Sequence, residues 1–348
     1  MKIIVELLHG LGDTVCALPM LKVLRDNYPQ ASITVLVKGM ENAEIIRASI
    51  IRIDEFIILN IYKNNLFKNL ATILELRKKK FDFGISCAIT PVIKAKVFMN
   101  LIDSKKNIGI QHELNKSFDD LEDVHHFTEA GLLAIKSICI LPTDVPKPYL
   151  KAAVTDTIFV REKMRIFNNE DKIIGICIGN ADFKYRYRLF GKEKVFTKGW
   201  GIKNMDLLVQ KLLEKNFNIV LIGGKLEATL VNMLSKSILS NSKLLNLIAE
   251  TDMRQSIAVV QECDLVIGVD TGMQHIAAAT GTKTLSIHGP TNPLTRGAYS
   301  KDAEFIESKC DCKYCYGTKK NLYCDNRKCL NMIKVDDVVE QVIKIISR

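Results

Sequence analysis

Between Asp264 and Ala279 the chain reads Asp-Leu-Val-Ile-Gly-Val-Asp-Thr-Gly-Met-Gln-His-Ile-Ala-Ala-Ala, a run that few folds accommodate. Positions 265–269 are apolar and rich in β-branched residues, which suits a strand buried on both faces. Asp270, Thr271 and Gly272 then make a tight turn, and the small apolar residues from Met273 onward fall at helical spacing. A strand that turns directly into a helix leaves the helix's first N–H groups facing whatever binds there, which favours an anion. A second strand, Thr284-Leu285-Ser286-Ile287, follows and ends in His288-Gly289-Pro290-Thr291. As parallel neighbours these strands would bring both loops to one sheet edge, where open α/β sheets bind ligands.

The same alternation runs through the rest of the chain. Strands are expected over 3–8, 33–37 and 83–87, with helices over 14–28 and 66–80 between them. Further on, strands are expected at 173–178, 218–222, 244–247 and 265–269, and helices at 205–214, 226–237, 254–262 and 273–280. Such alternation implies right-handed βαβ units and parallel sheets covered on both faces. Pro142, Pro146 and Pro148 concentrate three of the eight prolines in seven residues and mark the domain boundary. The expected organisation is therefore α/β, with two Rossmann-like, doubly wound domains facing a cleft. Residues 1–150 form the first and 151–334 the second, which carries a Cys-rich loop at 310–329. The amphipathic pattern of Val335, Val338, Val339, Val342, Ile343 and Ile346 makes 335–348 a closing helix.

At 348 residues, 47% apolar and 25% charged, the composition is that of a soluble globular chain of about two domains. No stretch of ~20 apolar residues is free of charge, so a membrane contact would be peripheral and the expected location cytoplasmic, at most at the inner face of a membrane. The N-terminal apolar run is interrupted by Glu6 and reads as a buried strand rather than a signal peptide. A formal charge of +10 favours anionic partners without choosing among them. The run Arg77-Lys78-Lys79-Lys80 reads as a solvated helix end complementing the helix dipole. Of the ten cysteines, Cys16, Cys87, Cys139, Cys177 and Cys263 are isolated in apolar contexts, as small hydrophobes in a reducing compartment are. The other five read Cys310-x-Cys312-x2-Cys315-x8-Cys324-x4-Cys329. This cluster is compatible with a structural Zn or Fe ion, with free thiols or with a disulfide. An ion there would tie a loop rather than meet substrate.

Several turns between strands and helices could carry chemistry. The first is His9-Gly10-Leu11-Gly12-Asp13-Thr14, where Asp13 is either a helix N-cap or a carboxylate placed to take a proton from a substrate hydroxyl. It lacks the third glycine of a dinucleotide fingerprint. Lys198-Gly199-Trp200 precedes a helix with Asn204 as its expected N-cap. Lys198 and Trp200 could clamp and shield a diphosphate, or the tryptophan could simply pack beside a snorkelling lysine. Gly223-Gly224 leads to Glu227, which either accepts ribose hydroxyls or sits in a helix's first turn. His275 is either part of the Asp270 turn's binding site or a satisfied core histidine.

Together, Gly10-Leu11-Gly12-Asp13 with Leu18-Pro19, Lys198-Gly199-Trp200, Gly223-Gly224, Asp270-Thr271-Gly272 with His275, and Gly289-Pro290-Thr291 resemble glycosyltransferase family 9, the lipopolysaccharide heptosyltransferases. The match spans nearly the whole chain in order. The resemblance implies a GT-B fold and an inverting, metal-independent transfer from a nucleotide-diphosphate sugar, with ADP-heptose the leading donor. The acceptor would be a hydroxyl of an anionic glycan, glycolipid or other molecule in lipopolysaccharide or related synthesis. It also implies that Asp13 is the general base, with Gly10 and Gly12 on the acceptor-side loop. Lys198 would neutralise the diphosphate, and Asp270, Thr271, Gly272, His275 and Glu227 would bind the donor. No Asp-x-Asp motif is present to hold a divalent ion, so leaving-group charge would fall to Lys198 and helix N-termini, and no cofactor is required for catalysis.

The segment from Ala181 to Thr197 is longer and more basic than the family's usual approach to the lysine and is expected to reshape a substrate pocket. Residues 60–123 carry no motif tied to a particular acceptor. Two other readings are a nucleotide-sugar epimerase of similar architecture, and a basic metal-knuckle protein binding nucleic acid. The epimerase would need further acid/base groups. The nucleic-acid reading has only Tyr185 and Tyr187 among Lys184, Arg186 and Arg188 to recommend it, and no nucleic-acid partner is expected.

Overall fold

The computed structural model describes residues 1–60, 66–122, 124–167, 170–179, 183–188 and 191–348, with the side chains at 66, 183–188 and 191–196 left outside that description. The chain divides into two compact units, Met1–Leu150 and Lys151–Arg348.

In the first unit, strands β1 (Lys2–Leu7), β2 (Ser32–Val37), β3 (Glu55–Ile58), β4 (Phe83–Ser86) and β5 (Lys106–Ile108) form one parallel sheet in the order β3-β2-β1-β4-β5. Helices α1 (Leu11–Asn27), α2 (Met40–Ala48), α3 (Leu66–Lys78) and α4 (Val92–Ile102) connect them in turn, and α5 (Ile110–Glu113) and α6 (Phe127–Leu133) follow. Burial on both faces explains the unbroken apolar centres of β1 and β2. Glu6 interrupts β1 and is nonetheless buried. On one side, Leu76 of α3 and Met99 and Ile102 of α4 pack with Phe81 against Ile4 and Leu36.

The second unit opens with α7 (Val154–Met164). Its sheet contains β6 (Ile173–Cys177), β9 (Asn218–Leu221), β10 (Leu244–Asn246), β11 (Leu265–Val269), β12 (Lys283–His288) and β13 (Ala303–Glu307), in the order β10-β9-β6-β11-β12-β13 and parallel throughout. Both sheets thus reverse their winding beside their first strand, the doubly wound order. Strands β7 (Phe183–Arg188) and β8 (Gly191–Phe196) pair separately as an antiparallel hairpin, where the sequence reading saw only a long basic approach to Lys198. Ala181, Asp182 and the basic and aromatic side chains of that approach lie outside the described residues.

The helices of the second unit are α8 (Ile202–Glu214), α9 (Ala228–Val231), α10 (Lys236–Leu239), α11 (Met253–Gln261), α12 (Gly272–Ala279), α13 (Pro293–Arg296), α14 (Lys319–Leu322), α15 (Lys328–Asn331) and α16 (Val335–Ile346). The single helix expected over 226–237 is two short ones. Ser235 leaves the helical path because its N–H and Oγ both donate to the carboxylate of Asp206, at 2.7 and 2.6 Å. Helix α16 lies on α8 and adds Val335, Val338, Val339, Val342 and Ile345 to this unit's core. No helix among the described residues is long and apolar enough to cross a membrane.

Candidate functional site

In the first unit the sheet's winding reverses between β1 and β4, and the loops after those two strands hold a polar cluster. Helix α1 begins at Leu11, not at Asp13, because Gly10 in extended conformation is its N-cap. Asp13 is the third helical residue, and its carboxylate accepts the Gly10 N–H at 2.9 Å. A Cβ on Gly10 would lie 3.2 Å from Asp13 Oδ2, a tight contact that a shift of the carboxylate by a few tenths of an ångström would relieve. Gly12 is within the first turn of α1.

Behind this turn sits a network that sequence reasoning missed. Glu6 accepts hydrogen bonds from the Leu8 N–H (3.0 Å), the Cys87 N–H (3.3 Å) and the Thr90 hydroxyl (2.7 Å). His9 Nε2 lies 2.6 Å from Thr90 Oγ1 and 3.4 Å from Glu6 Oε1. Burial alone would raise the Glu6 carboxyl and lower the His9 imidazole. Their mutual attraction outweighs it, holding the carboxyl below and the imidazole above its ordinary value. Gln111 donates to the carbonyls of Cys87 and Thr90 at 2.7 and 2.8 Å, which fixes the loop that carries Thr90. The visible signal was the lone carboxylate in an otherwise apolar strand.

In the second unit the reversal falls between β6 and β11, and the Asp270 turn is the loop after β11. Thr271 is the N-cap of α12, and Gly272 is its first helical residue. The first amides of α12 have no acceptor within the helix. Lys198 Nζ is 3.1 Å from Asp270 Oδ2 and 4.7 Å from the centre of the Tyr316 ring, and His275 Nε2 is 3.8 Å from Asp270 Oδ1. Burial pushes the Asp270 carboxyl up, but Lys198 and the neighbouring His275 and His288 hold it well below the usual carboxylate range. His288, the last residue of β12, is bridged to Ser286 Oγ and Thr291 Oγ1 at 3.0 Å each, and burial lowers its pKa. Thr271 Oγ1 and both amide atoms of Gln274 are buried with no hydrogen-bond partner among the described residues. Unsatisfied buried groups are costly, and three of them at one helix N-terminus are what a polar ligand would relieve.

Other expected residues settle differently. Trp200 is 3% exposed, packs in the core and donates Nε1–H to the Ile333 carbonyl, so it does not shield a ligand. The N-cap of α8 is Gly201, whose φ of +98° suits glycine. Asn204 lies inside α8 and donates to the Trp200 carbonyl at 2.9 Å. Glu227 is itself the N-cap of α9. Its carboxylate accepts the Gly224 N–H at 2.9 Å, and burial raises its pKa.

Cys310 and Cys329 are buried, and Cys312, Cys315 and Cys324 are half-buried. The thiols lie close enough that burial and the other four raise Cys329 to about 11. Thiolates suit Zn or Fe, but among the described residues no three His, Cys, Asp or Glu side chains are gathered as a ligand set. The loop also contacts the segment that carries Lys198. Tyr316 N–H donates to the Pro290 carbonyl at 2.8 Å while its ring faces Lys198, and Asn321 Nδ2 donates to the Thr197 carbonyl at 3.3 Å.

The family model "Glycosyltransferase family 9 (heptosyltransferase)" matches residues 70–324. Among curated proteins, a lipooligosaccharide heptosyltransferase 2 of Campylobacter jejuni serotype O:2 is 24% identical over 358 residues, covering 100% of this chain and 99% of the relative. A family 9 glycosyl transferase from Veillonella parvula has a crystal structure with a TM-score of 0.80 at 20% identity, covering 99% of this chain and 97% of the other. The E. coli ADP-heptose LPS heptosyltransferase II aligns with a TM-score of 0.71 at 18% identity, covering 99% and 98%. At these identities the structural likeness shows a shared GT-B fold.

Proposed function

The chain belongs to glycosyltransferase family 9 and is a glycosyltransferase, and from that premise we propose that it moves a heptose from ADP-heptose, with inversion and without a catalytic metal ion, onto a sugar hydroxyl of a lipopolysaccharide-type acceptor. The donor is inferred from the E. coli relative, described as an ADP-heptose enzyme, and the acceptor class from the lipooligosaccharide and LPS relatives. The epimerase and nucleic-acid readings give way to the family assignment.

The carrying observation is the Asp270 turn. A helix N-terminus whose Thr271 and Gln274 side chains have no partner among the described residues follows directly on a buried carboxylate that holds Lys198 and neighbours His275. In this reading the α12 amides and Lys198 take the diphosphate, and Asp270 keeps Lys198 charged and oriented. Glu227 is assigned to the nucleoside. In the transfer the acceptor oxygen attacks the sugar's anomeric carbon from the face opposite the diphosphate and passes its proton to Asp13. The C–O bond to the diphosphate breaks, and its electron pair leaves with the β-phosphate oxygen of ADP. Charge grows on that oxygen in the transition state, so donors already in place lower the barrier without reorganising. The acceptor reading assigns the enzyme a peripheral place at a membrane surface. The first unit is assigned to the acceptor and the second to the donor.

The test is a thermal-shift and turnover screen of ADP-heptose against ADP-, UDP-, GDP- and dTDP-hexoses. ADP-heptose should raise the melting temperature most and alone release nucleotide diphosphate in the presence of a heptose-deficient core oligosaccharide. Preference for a UDP- or GDP-sugar would refute the donor assignment.

A further inference from the structure

Helices α3 and α4 lie side by side, and each buries one face beneath it, Leu76 on α3 and Ala95, Met99 and Ile102 on α4. Their outer faces are also apolar. Phe67 (81% exposed), Leu70 (49%) and Leu74 (50%) recur at three- and four-residue intervals on α3, and Ile93 (78%), Val97 (55%) and Leu101 (44%) at four-residue intervals on α4. Six large exposed side chains in two parallel rows are not the scattered apolar residues of an ordinary surface.

The charge around these rows is one-sided. Positions 66–80 and 92–106 carry nine Lys and Arg against two carboxylates, and two of the nine, Lys79 and Lys105, pair with Glu55 and Asp82 outside these spans. Both carboxylates within the spans are already paired, Glu75 with Lys78 at 2.6 Å and Asp103 with Arg77 at 3.1 Å. Lys80 and Lys94 form no ion pair among the described residues. A shallow depression of about 430 Å³, lined by Ala71, Leu74, Glu75, Arg77, Lys78 and Lys80, opens on the same face.

We propose that this outer face of α3 and α4 docks the enzyme on an anionic phospholipid bilayer, the apolar rows entering the headgroup boundary and the flanking cations meeting lipid phosphates. Apolar rows bordered by Lys and Arg are the pattern of an interfacial surface. Two copies of so cationic a face would repel each other, whereas lipid phosphate complements it. The proposal rests on the peripheral-membrane part of the function given above and names the surface that performs it.

The test uses the full-length protein and protein-free vesicles of phosphatidylethanolamine and phosphatidylglycerol (3:1), with pure phosphatidylcholine as the neutral control. The enzyme should co-sediment with the anionic vesicles and not with the neutral ones. Raising NaCl from 0.1 to 0.5 M should weaken binding about tenfold, because these contacts are screened. The triple variant Phe67→Ser, Ile93→Ser, Val97→Ser should bind about tenfold more weakly, while melting like the wild type and processing a water-soluble core oligosaccharide within about twofold of it. Lys80→Glu with Lys94→Glu should lose anionic selectivity, about fivefold per site. Wild-type affinity in the triple variant would overturn the proposal, as would failure to bind anionic vesicles. So would sedimentation velocity showing a dimer that the triple variant dissolves, since the face would then belong to a second copy. Vesicle binding is read without any transfer reaction, so a failed donor assignment would leave this result standing by itself.

Discussion

Replacing Lys198 by Met tests the donor-side assignment most severely, because the structure makes it act in two separable ways. The ammonium lies 3.1 Å from Asp270 Oδ2, with side-chain exposures of 15% and 8%. Losing a donor to a developing oxyanion costs about 2.7–4 kcal/mol, so kcat should fall roughly 10²–10³-fold. Losing one partner of a buried ion pair costs about 3–5 kcal/mol. With His275 Nε2 still 3.8 Å from the carboxylate, the lower end applies, and about 3 kcal/mol in a unit of this size lowers the Tm by about 6–12 °C. The pH dependence follows from the direction of the Asp270 shift. In the wild type the folded carboxyl titrates far below its unfolded value. Its stabilisation is therefore complete above the unfolded value, near pH 4, and is lost only as pH falls through the lower folded one. Without Lys198 the largest of the influences that lower the carboxyl is gone, so it titrates higher than in the wild type, and the destabilisation is full at neutral pH and fades as pH falls through that raised value. The gap in Tm between variant and wild type should consequently be widest near pH 7.5 and narrower near pH 4. Adding Asp270→Asn should restore much of the Tm and none of the turnover, because the unpaired charge is gone while the leaving group still lacks its cation. The assays are ADP release with ADP-heptose and thermal melting across pH. A variant with kcat and donor KM within threefold of wild type, or a Tm deficit independent of pH, would refute the assignment.

Asp13→Asn keeps an oxygen to accept the Gly10 N–H but cannot take the acceptor's proton, so turnover should fall about 10²–10⁴-fold with unchanged donor affinity by calorimetry; activity within threefold would remove Asp13 from the base role. Transfer should persist in EDTA over the minutes of an assay, and prompt loss restored by Mg²⁺ would contradict a metal-independent reaction. If the Cys310–Cys329 loop holds a Zn or Fe ion, purified protein should contain close to one equivalent per chain, and Cys315→Ser should lower metal content and Tm. Since Tyr316 and Asn321 brace the Lys198 segment, the same variant should also weaken donor binding severalfold. Metal-free protein with all five thiols titratable would dismiss the ion.

The alternation of apolar runs and glycine turns was enough to read a doubly wound α/β chain, because a strand buried on both faces has to be apolar along its length and a strand-to-helix turn has to contain small residues. The Asp270 turn was legible for the same reason: a run such as 265–272 permits one local path, and that path ends on a helix N-terminus. What lay beyond local sequence was decided by partners far away in the chain. Glu6 looked like a flaw in a strand until Thr90 and the Cys87 amide, more than eighty residues later, were seen to satisfy it. Trp200 looked available to a ligand, and only the Ile333 carbonyl and the surrounding core show it committed to packing. Helix α3 was likewise expected from the sequence, yet only the tertiary structure reveals that Leu76 fills its buried face while Phe67, Leu70 and Leu74 face outward. Periodicity registers that apolar residues recur on a helix, but what covers them depends on which other elements the fold brings alongside, a property of long-range packing that no window of sequence contains.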